Sequence, residues 1–299
     1  VDLDGVALAK QLRDEFAPEV DGLLKEGRRP RLVALQVGTN PATEAYIRGQ
    51  RRGAEAWRIQ YDLQTLPGDA TEAEVRAAIE ALNASPTVTG ILLQLPLPAH
   101  LPGRGLQLAI APEKDVEGVT PTNLGALVHG RDGLAPCTAL ASIALLESSM
   151  ATIRGAEAVV VGHSDIVGKP VALLLLARDA TTHVCHKFTK DLARHTREAD
   201  LLVVAVGRPN LITPDMVRPG AVVVDVGINV VPVPDAPGKT RVVGDVDYAG
   251  LVAKGCRVSP VPGGVGPVTV AMLMRNTLLA ARKTPPPREE LRLPLFHND

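Results

Sequence analysis

Residues 158–175 read AVVVGHSDIVGKPVALLL, and this stretch decides the fold. A run of β-branched and aliphatic residues ends at Gly162, passes Ser164 and Gly168, and continues into an apolar segment with helical spacing. A buried strand that turns sharply into a helix has this pattern. Gly162 permits the tight turn, Gly168 permits close helix packing, and amides at a helix start can meet a pyrophosphate. The second glycine of the usual dinucleotide fingerprint is absent. The motif therefore reads either as a nucleotide turn of altered spacing, with Gly162, His163 and Ser164 on the cofactor, or as a structural βα turn.

On both sides of this stretch the hydrophobic periodicity alternates between helical and strand-like, the signature of an α/β fold with parallel sheets. Upstream, Val6–Lys25 reads as an amphipathic helix, Arg31–Val37 as a strand, Glu44–Trp57 as a helix entered through a polar turn, and Gly90–Leu95 as a buried strand. Thr71 opens a further helix with Glu72 and Glu74 in its first turn, where they favour the dipole. Downstream, strands are expected at 156–162, 181–186, 199–206 and 221–226, and helices at 139–148, 167–177, 246–253 and 268–282. These segments predict two α/β domains. One spans 1–140 and is joined by the last helix (268–283) crossing back, and a Rossmann-like domain with a parallel sheet spans 141–267. The Pro- and charge-rich tail 284–299 is expected to be poorly ordered.

Composition agrees with this reading. The 299 residues are 45 % hydrophobic but only 2 % aromatic, so the core must be built from aliphatic side chains, as in buried parallel sheets. The formal net charge is -1, with no polybasic block, and nucleic acid is an unexpected partner. Apolar runs such as 171–177 and 201–206 fall short of the roughly 18–20 residues a membrane span requires. No secretory leader is read in VDLDGVALAK. Three separated cysteines, Cys137, Cys185 and Cys256, suit a reducing, cytoplasmic setting and no disulfide scaffold. His183, Cys185 and His186 alternate across a strand, so no metal site is expected there.

Several polar positions stand out. The segment after the second strand of the Rossmann unit reads THVCHKFTK, with Lys187 and no carboxylate where a ribose is usually sensed. A lysine there attracts a 2′-phosphate and favours NADP, or else merely solvates a helix start. In SPVPGGVGPVTVAMLMRNT (259–277), prolines and glycines including Pro262, Gly263 and Gly264 demand unusual backbone geometry and allow close ligand approach. In the first half, Tyr46 and Gln50 share a helix face, Gln94 ends a buried strand, and Glu117 lies in PEKDVEGVTPTN. Each also has an ordinary structural reading: a packing tyrosine, a strand-end amide, a solvated charge.

The segments GTNPATEAYIRGQRRGAEAW, GILLQLPLPAH, PEKDVEGVTPTNLG, PCTA, VVVGHSDIVGKP, CHKFTK, DVGIN, VVGDVD and PVPGGVGPVTVAMLMRNT occur in the order found in the methylenetetrahydrofolate dehydrogenase/methenyltetrahydrofolate cyclohydrolase family. The chain resembles that family over roughly residues 1–283. The resemblance implies a homodimer with an N-terminal catalytic domain completed by the C-terminal helix, a Rossmann-like NADP domain, and folate in the cleft between them. It implies NADP-dependent oxidation of 5,10-methylenetetrahydrofolate to the methenyl cation, followed by hydrolysis to 10-formyltetrahydrofolate. By position, Tyr46 would stack on the folate, Gln94 would hydrogen-bond near the reacting centre, and Pro262, Gly263 and Gly264 would line the folate site. Gly162, His163, Ser164, Lys187 and Ile228 would face the cofactor.

Two positions depart from the family pattern. Gln50 stands where the family has lysine, and Glu117 stands where KDVDG has its second aspartate. Glutamate keeps the charge and can still pair bidentately with a pterin amidine. An amide cannot supply the cation or proton-transfer group that a lysine brings to water addition. The expectation is a surviving dehydrogenase with a weakened or lost cyclohydrolase. The rival readings are a catalytically silent folate- or NADP-binding homologue and a two-domain dehydrogenase for another small, shikimate-like substrate.

Overall fold

The computed structural model describes residues 3–130, 133–233 and 238–282, which form two compact units. Among the described residues, Gln11–Cys137 and those from Val270 to Arg282 make one; the residues up to Lys10 and Thr138–Thr269 make the other. The tail expected to be poorly ordered lies outside the described residues.

In the first unit the elements run from the greater part of α1 (Gly5–Lys25) through β1 (Arg31–Val37), α2 (Pro41–Ala56), β2 (Gln60–Leu66), α3 (Glu72–Ala84), β3 (Gly90–Leu93), α4 (Gly103–Gln107) and α5 (Pro121–Val128). The sheet has the order β2-β1-β3, and both strand pairs are parallel. β1 is central and buried almost throughout, which its sequence RLVALQV already demands. On one face Val33, Leu35 and Val37 pack with Val75, Ile79, Ile91, Leu93 and Leu106. Each such side chain stabilises the fold by about 1.5–3 kcal/mol through burial. Thr71 caps α3 as expected: its hydroxyl accepts from the Glu74 amide, and the Glu74 carboxylate accepts from the Thr71 amide at 2.8 Å.

β2 was not anticipated from the sequence. QYDLQTL alternates without a clear apolar face, because as an edge strand it is only partly buried. β3 also ends at Leu93, two residues earlier than its apolar run suggests, and leaves Gln94 just beyond the strand.

The second unit contains α6 (Cys137–Ser148), β4 (Glu157–Val161), α7 (Gly168–Leu176), β5 (Thr181–Cys185), α8 (Leu192–Glu198), β6 (Leu201–Val204), β7 (Val222–Asp225), the strands β8 (Asn229–Pro232) and β9 (Thr240–Val243), α9 (Tyr248–Ala253), β10 (Arg257–Val258) and the start of α10 (Val265–Ala281). Its main sheet is parallel, in the order β10-β7-β6-β4-β5, while β8 and β9 pair antiparallel beside it in sequence. This is the doubly wound arrangement expected of a Rossmann-like sheet. β5 lies on one side of β4 and β6 on the other, so the chain reverses direction across the sheet at β4. Ligands of such sheets bind outside the strand C-termini at that reversal.

The AVVVGHSDIVGKP stretch makes its turn there. Gly162 has φ +124°, and a Cβ on it would lie 2.3 Å from the Ala205 carbonyl oxygen. A Cβ on Gly168 would lie 2.1 Å from the Gly162 oxygen, so the two glycines let strand end and helix start pass at backbone distance. Gly207, with φ +68°, has open space around its missing Cβ. Gly162→Ala is therefore expected to lower the unfolding free energy by at least about 2 kcal/mol through combined strain and clash. Gly207→Ala is expected to cost about 1 kcal/mol from left-handed strain alone. Urea-melt midpoints of the two variants measure this, and equal losses would contradict the clash at Gly162.

Candidate functional site

In the first unit, strand register decides which side chains meet. Leu32 of β1 pairs with Tyr61 of β2 on one side and Gly90 of β3 on the other. Paired residues point to one face and strand alternation has period two, so Tyr61 and the residue four beyond Gly90, Gln94, share a face. Gln50 on α2 joins them. The Tyr61 hydroxyl donates to Gln50 Oε1 at 2.9 Å, and Gln94 Nε2 donates to the same oxygen at 2.6 Å. Gln94 is only 6 % exposed, and its backbone amide is fixed to the Leu35 carbonyl at 2.9 Å. Burial pushes the Tyr61 phenol up to about 12, although the Arg51 guanidinium and the hydrogen bond with Gln94 pull it down.

Tyr46 lies one helical turn before Gln50 and is 53 % exposed, a large fraction for one of only three tyrosines. Its ring is available to a flat partner and is not core filling. Tyr61, in contrast, was missed by sequence reasoning. It is also one of only three tyrosines, but its strand had gone unrecognised.

The KDVEG segment divides its labour. Lys114 Nζ donates to the carbonyls of Leu82, Asn83 and Ser85 at 3.1, 2.7 and 2.6 Å, tying off the end of α3. Asp115 is fully buried; its carboxylate accepts from the amides of Gly118 (3.0 Å) and Thr120 (2.7 Å) and from Asn123 Nδ2 (2.9 Å). Both are structural. Among the described residues Glu117 has one hydrogen-bonding side-chain partner, Gln107 Nε2, which donates to it at 3.1 Å. The residue keeps partial surface exposure, but its carboxylate is desolvated. That desolvation pushes its pKa up to about 7; the Gln107 bond pulls down, and the nearby Asp115 charge adds to the rise. The carboxylate is thus poised to gain from any ligand that donates hydrogen bonds to it. Behind this segment, Asn276 of α10 donates to the Val116 and Ala135 carbonyls at 2.9 Å each.

In the second unit the expected cofactor residues gather at the C-terminal edge of the sheet. The Gly162 amide donates to the Cys185 carbonyl at 2.8 Å, joining the ends of β4 and β5. The Ser164 hydroxyl accepts from the amides of Val167 and Gly168 at 3.2 and 3.4 Å. These bonds are made within the turn itself and tie Ser164 to the start of α7. His163 and His186 meet edge to face, with ring centroids 4.9 Å apart. Beside them Lys187 Nζ lies 4.9 Å from the centroid of the exposed Phe188 ring. No group of three His, Cys, Asp or Glu side chains able to hold a metal ion occurs among the described residues.

Two buried aspartates, also unrecognised in the sequence, brace this edge. Asp245 accepts from the amides of Val206, Gly207 and Arg208 (2.7, 2.9 and 2.8 Å) and from Asn229 Nδ2 at 2.9 Å. Asp225 accepts from the amides of Gly227, Asp245 and Val246. Burial pushes Asp225 up to about 6 against those three bonds. Together they fix the loops after β6 and β7 and leave Ile228 half exposed at the edge. The PVPGG loop is anchored to β7 by Ser259, whose amide donates to Val223 and whose hydroxyl accepts from Asp225 N. Gly263 takes φ +111°, and the Gly264 amide donates to the Pro260 carbonyl at 2.8 Å.

Comparison with known proteins accounts for both units. Residues 3–117 match the family model for the tetrahydrofolate dehydrogenase/cyclohydrolase catalytic domain, and residues 136–285 match that for its NAD(P)-binding domain. The chain is 49 % identical over 282 residues to "Bifunctional protein FolD" of Bordetella avium, covering 94 % of this chain and 97 % of that protein. Among solved structures it is similar to the bifunctional FolD enzyme of Campylobacter jejuni (TM-score 0.89, 40 % identity, 94 % and 98 % of the two chains). It is also similar to the Trypanosoma brucei FolD complexed with NADP cofactor and inhibitor (TM-score 0.88, 38 % identity, 94 % and 97 %). With both of its halves matched and nearly all of its length aligned, the chain belongs to the tetrahydrofolate dehydrogenase/cyclohydrolase family.

Proposed function

We propose that this protein oxidises 5,10-methylenetetrahydrofolate with NADP, and that its hydrolysis of the methenyl product is weak or lost. The observation that carries the proposal is the state of Gln50: its amide oxygen accepts from both Tyr61 and Gln94, so the position is neutral.

The two reactions make different demands. In the first, a hydride leaves the methylene carbon, and the substrate becomes an amidinium cation with no proton to be taken up. NADP, when bound, accepts that hydride. Such a transfer depends mainly on orientation of the two rings. Tyr46 supplies an exposed ring for stacking, Gln94 a buried and immobile amide, and Glu117 a carboxylate for the hydrogen-bond donors of the pterin. The second reaction adds water to the amidinium carbon, opens the ring and releases a proton, which requires a group that can move protons. Gln50 cannot. Arg51 lies close enough to influence Tyr61 electrostatically, but a guanidinium does not serve as a base.

NADP fits the residues of the second unit. Gly162 leaves no room for a Cβ beside the Ala205 carbonyl, as a close backbone approach requires. Lys187 offers a cation where a carboxylate would repel a 2′-phosphate. The relative from Trypanosoma brucei, complexed with NADP, supports the same cofactor here. Ile228 and the His163–Ser164 turn complete the proposed cofactor set, and Pro262, Gly263 and Gly264 the proposed folate loop. The family resemblance further supports a homodimer. The three described cysteines are free and buried, in keeping with a cytoplasmic setting, and no helix among the described residues is long and apolar enough to cross a membrane.

Two outcomes follow. Installing the family lysine, Gln50→Lys, is expected to raise enzyme-dependent decay of the methenyl compound about a hundredfold over the parent, the low end of general acid–base contributions. Methenyl absorbance, corrected for spontaneous hydrolysis, measures it; no gain sinks the assignment of Gln50. Absence of any NADP reduction with methylenetetrahydrofolate would instead favour the silent homologue.

The second outcome concerns pH. Glu117 must be ionised to hold the pterin, so KM for the folate is expected to fall as pH rises through about 7, and this step is expected to vanish in Glu117→Gln. Without ligand the sign is opposite. A carboxylate whose pKa is raised by folding stabilises the native state below its unfolded value and loses that contribution as pH rises through about 7. KM profiles and thermal melts from pH 5 to 9 test both signs together.

A further inference from the structure

We propose that Tyr61 is a positioning residue that acts through Gln50: with Gln94 it locks the Gln50 amide so that its NH2, and not its oxygen, faces the folate. The inference rests on the function proposed above and assigns a role to a residue on an edge strand of the sheet.

Three observations carry it. Both donors converge on one atom, Tyr61 Oη at 2.9 Å and Gln94 Nε2 at 2.6 Å from Gln50 Oε1, which fills the two acceptor sites of an amide oxygen. A flipped Gln50 would set its NH2 against the NH2 of Gln94, donor to donor, and Gln94 is held in place by burial and by its backbone bond to Leu35. Gln50 Nε2 has no partner among the described residues and remains the open side of the group. The high pKa of the phenol, about 12, keeps Tyr61 protonated and therefore a donor at every working pH. A phenylalanine here would leave the second acceptor site of Gln50 Oε1 unfilled and allow the side chain to turn. A pair of fixed N–H donors thus occupies the place of the family's cation: it can orient a bound ring but cannot exchange a proton.

Tyr61→Phe, Gln50→Ala and the double variant test this by a cycle on the full-length enzyme, with NADP saturating. Tyr61→Phe is expected to raise KM for methylenetetrahydrofolate about fivefold with kcat within about twofold, the pattern for lost uniform binding. In the Gln50→Ala background the same change is expected to alter KM by less than about 1.5-fold, because the coupled partner is gone. Equal KM increases in both backgrounds, or none in the parent, would overturn the proposal. A purely structural tyrosine gives the former.

If the parent shows no NADP reduction, the functional reading fails, and the side-chain amide signals of Gln50, assigned by their loss in Gln50→Ala, decide the question for Tyr61. They are expected to be sharp and slowly exchanging in the parent and broadened in Tyr61→Phe; identical signals would refute the lock. If Tyr61→Phe does not fold, a fluorinated tyrosine at position 61 keeps ring and hydroxyl but ionises at lower pH. KM is then expected to rise with that ionisation in the parent and stay flat in Gln50→Ala, while parallel profiles would refute the role.

Discussion

Every neighbouring pair of strands in the two main sheets runs parallel, and the rest of the structure depends on that constraint. Parallel strands need crossover helices, the helices cover the faces, and the strands become aliphatic runs such as 159–161, 201–204 and 222–224. Polar side chains are costly inside the buried central strands, so many of the polar groups considered above stand at or just beyond strand ends. Gln94 follows β3, Gly162 follows β4, His186 and Lys187 follow β5, and Asp225 ends β7. Gln94, His186 and Lys187 lie at such edges, whereas Tyr61 reaches Gln50 from within the half-exposed edge strand β2.

In the first unit the residues that meet around Gln50 form a neutral cluster. Tyr61, Gln50 and Gln94 satisfy one another through a single oxygen atom, and none of them changes protonation near neutral pH. The ionisable groups lie elsewhere: Glu117 is pushed up by burial to about 7, and Asp225 to about 6. Their positions separate two tasks. Glu117 is available to a ligand, with one amide partner, whereas Asp225 is consumed by three backbone amides that hold the loops of the other unit.

Much of this was legible from the residues alone. Long aliphatic runs, the glycine turn at 162–168 and the family motifs led to the α/β class, the Rossmann-like sheet and the folate reading, because buried strands and ligand turns leave strong local patterns. What escaped had no such pattern. β2 is half exposed, so QYDLQTL shows no periodicity, and with it Tyr61 was lost. Asp225 and Asp245 look like loop charges in DVGIN and GDVD; only the fold shows seven backbone and side-chain donors converging on them. Ser164, read with Gly162 and His163 as a cofactor residue, also accepts from the Val167 and Gly168 amides of its own turn, a bond that only the folded backbone reveals.

The central claim is that hydride transfer and water addition have been uncoupled at Gln50. Following NADPH and the methenyl compound together in one progress curve, with purified protein, NADP and methylenetetrahydrofolate, addresses it most directly. The account predicts that methenyltetrahydrofolate accumulates in step with NADPH and then decays only at its spontaneous rate. Formation of NADPH without such accumulation, its place taken by 10-formyltetrahydrofolate, would contradict it.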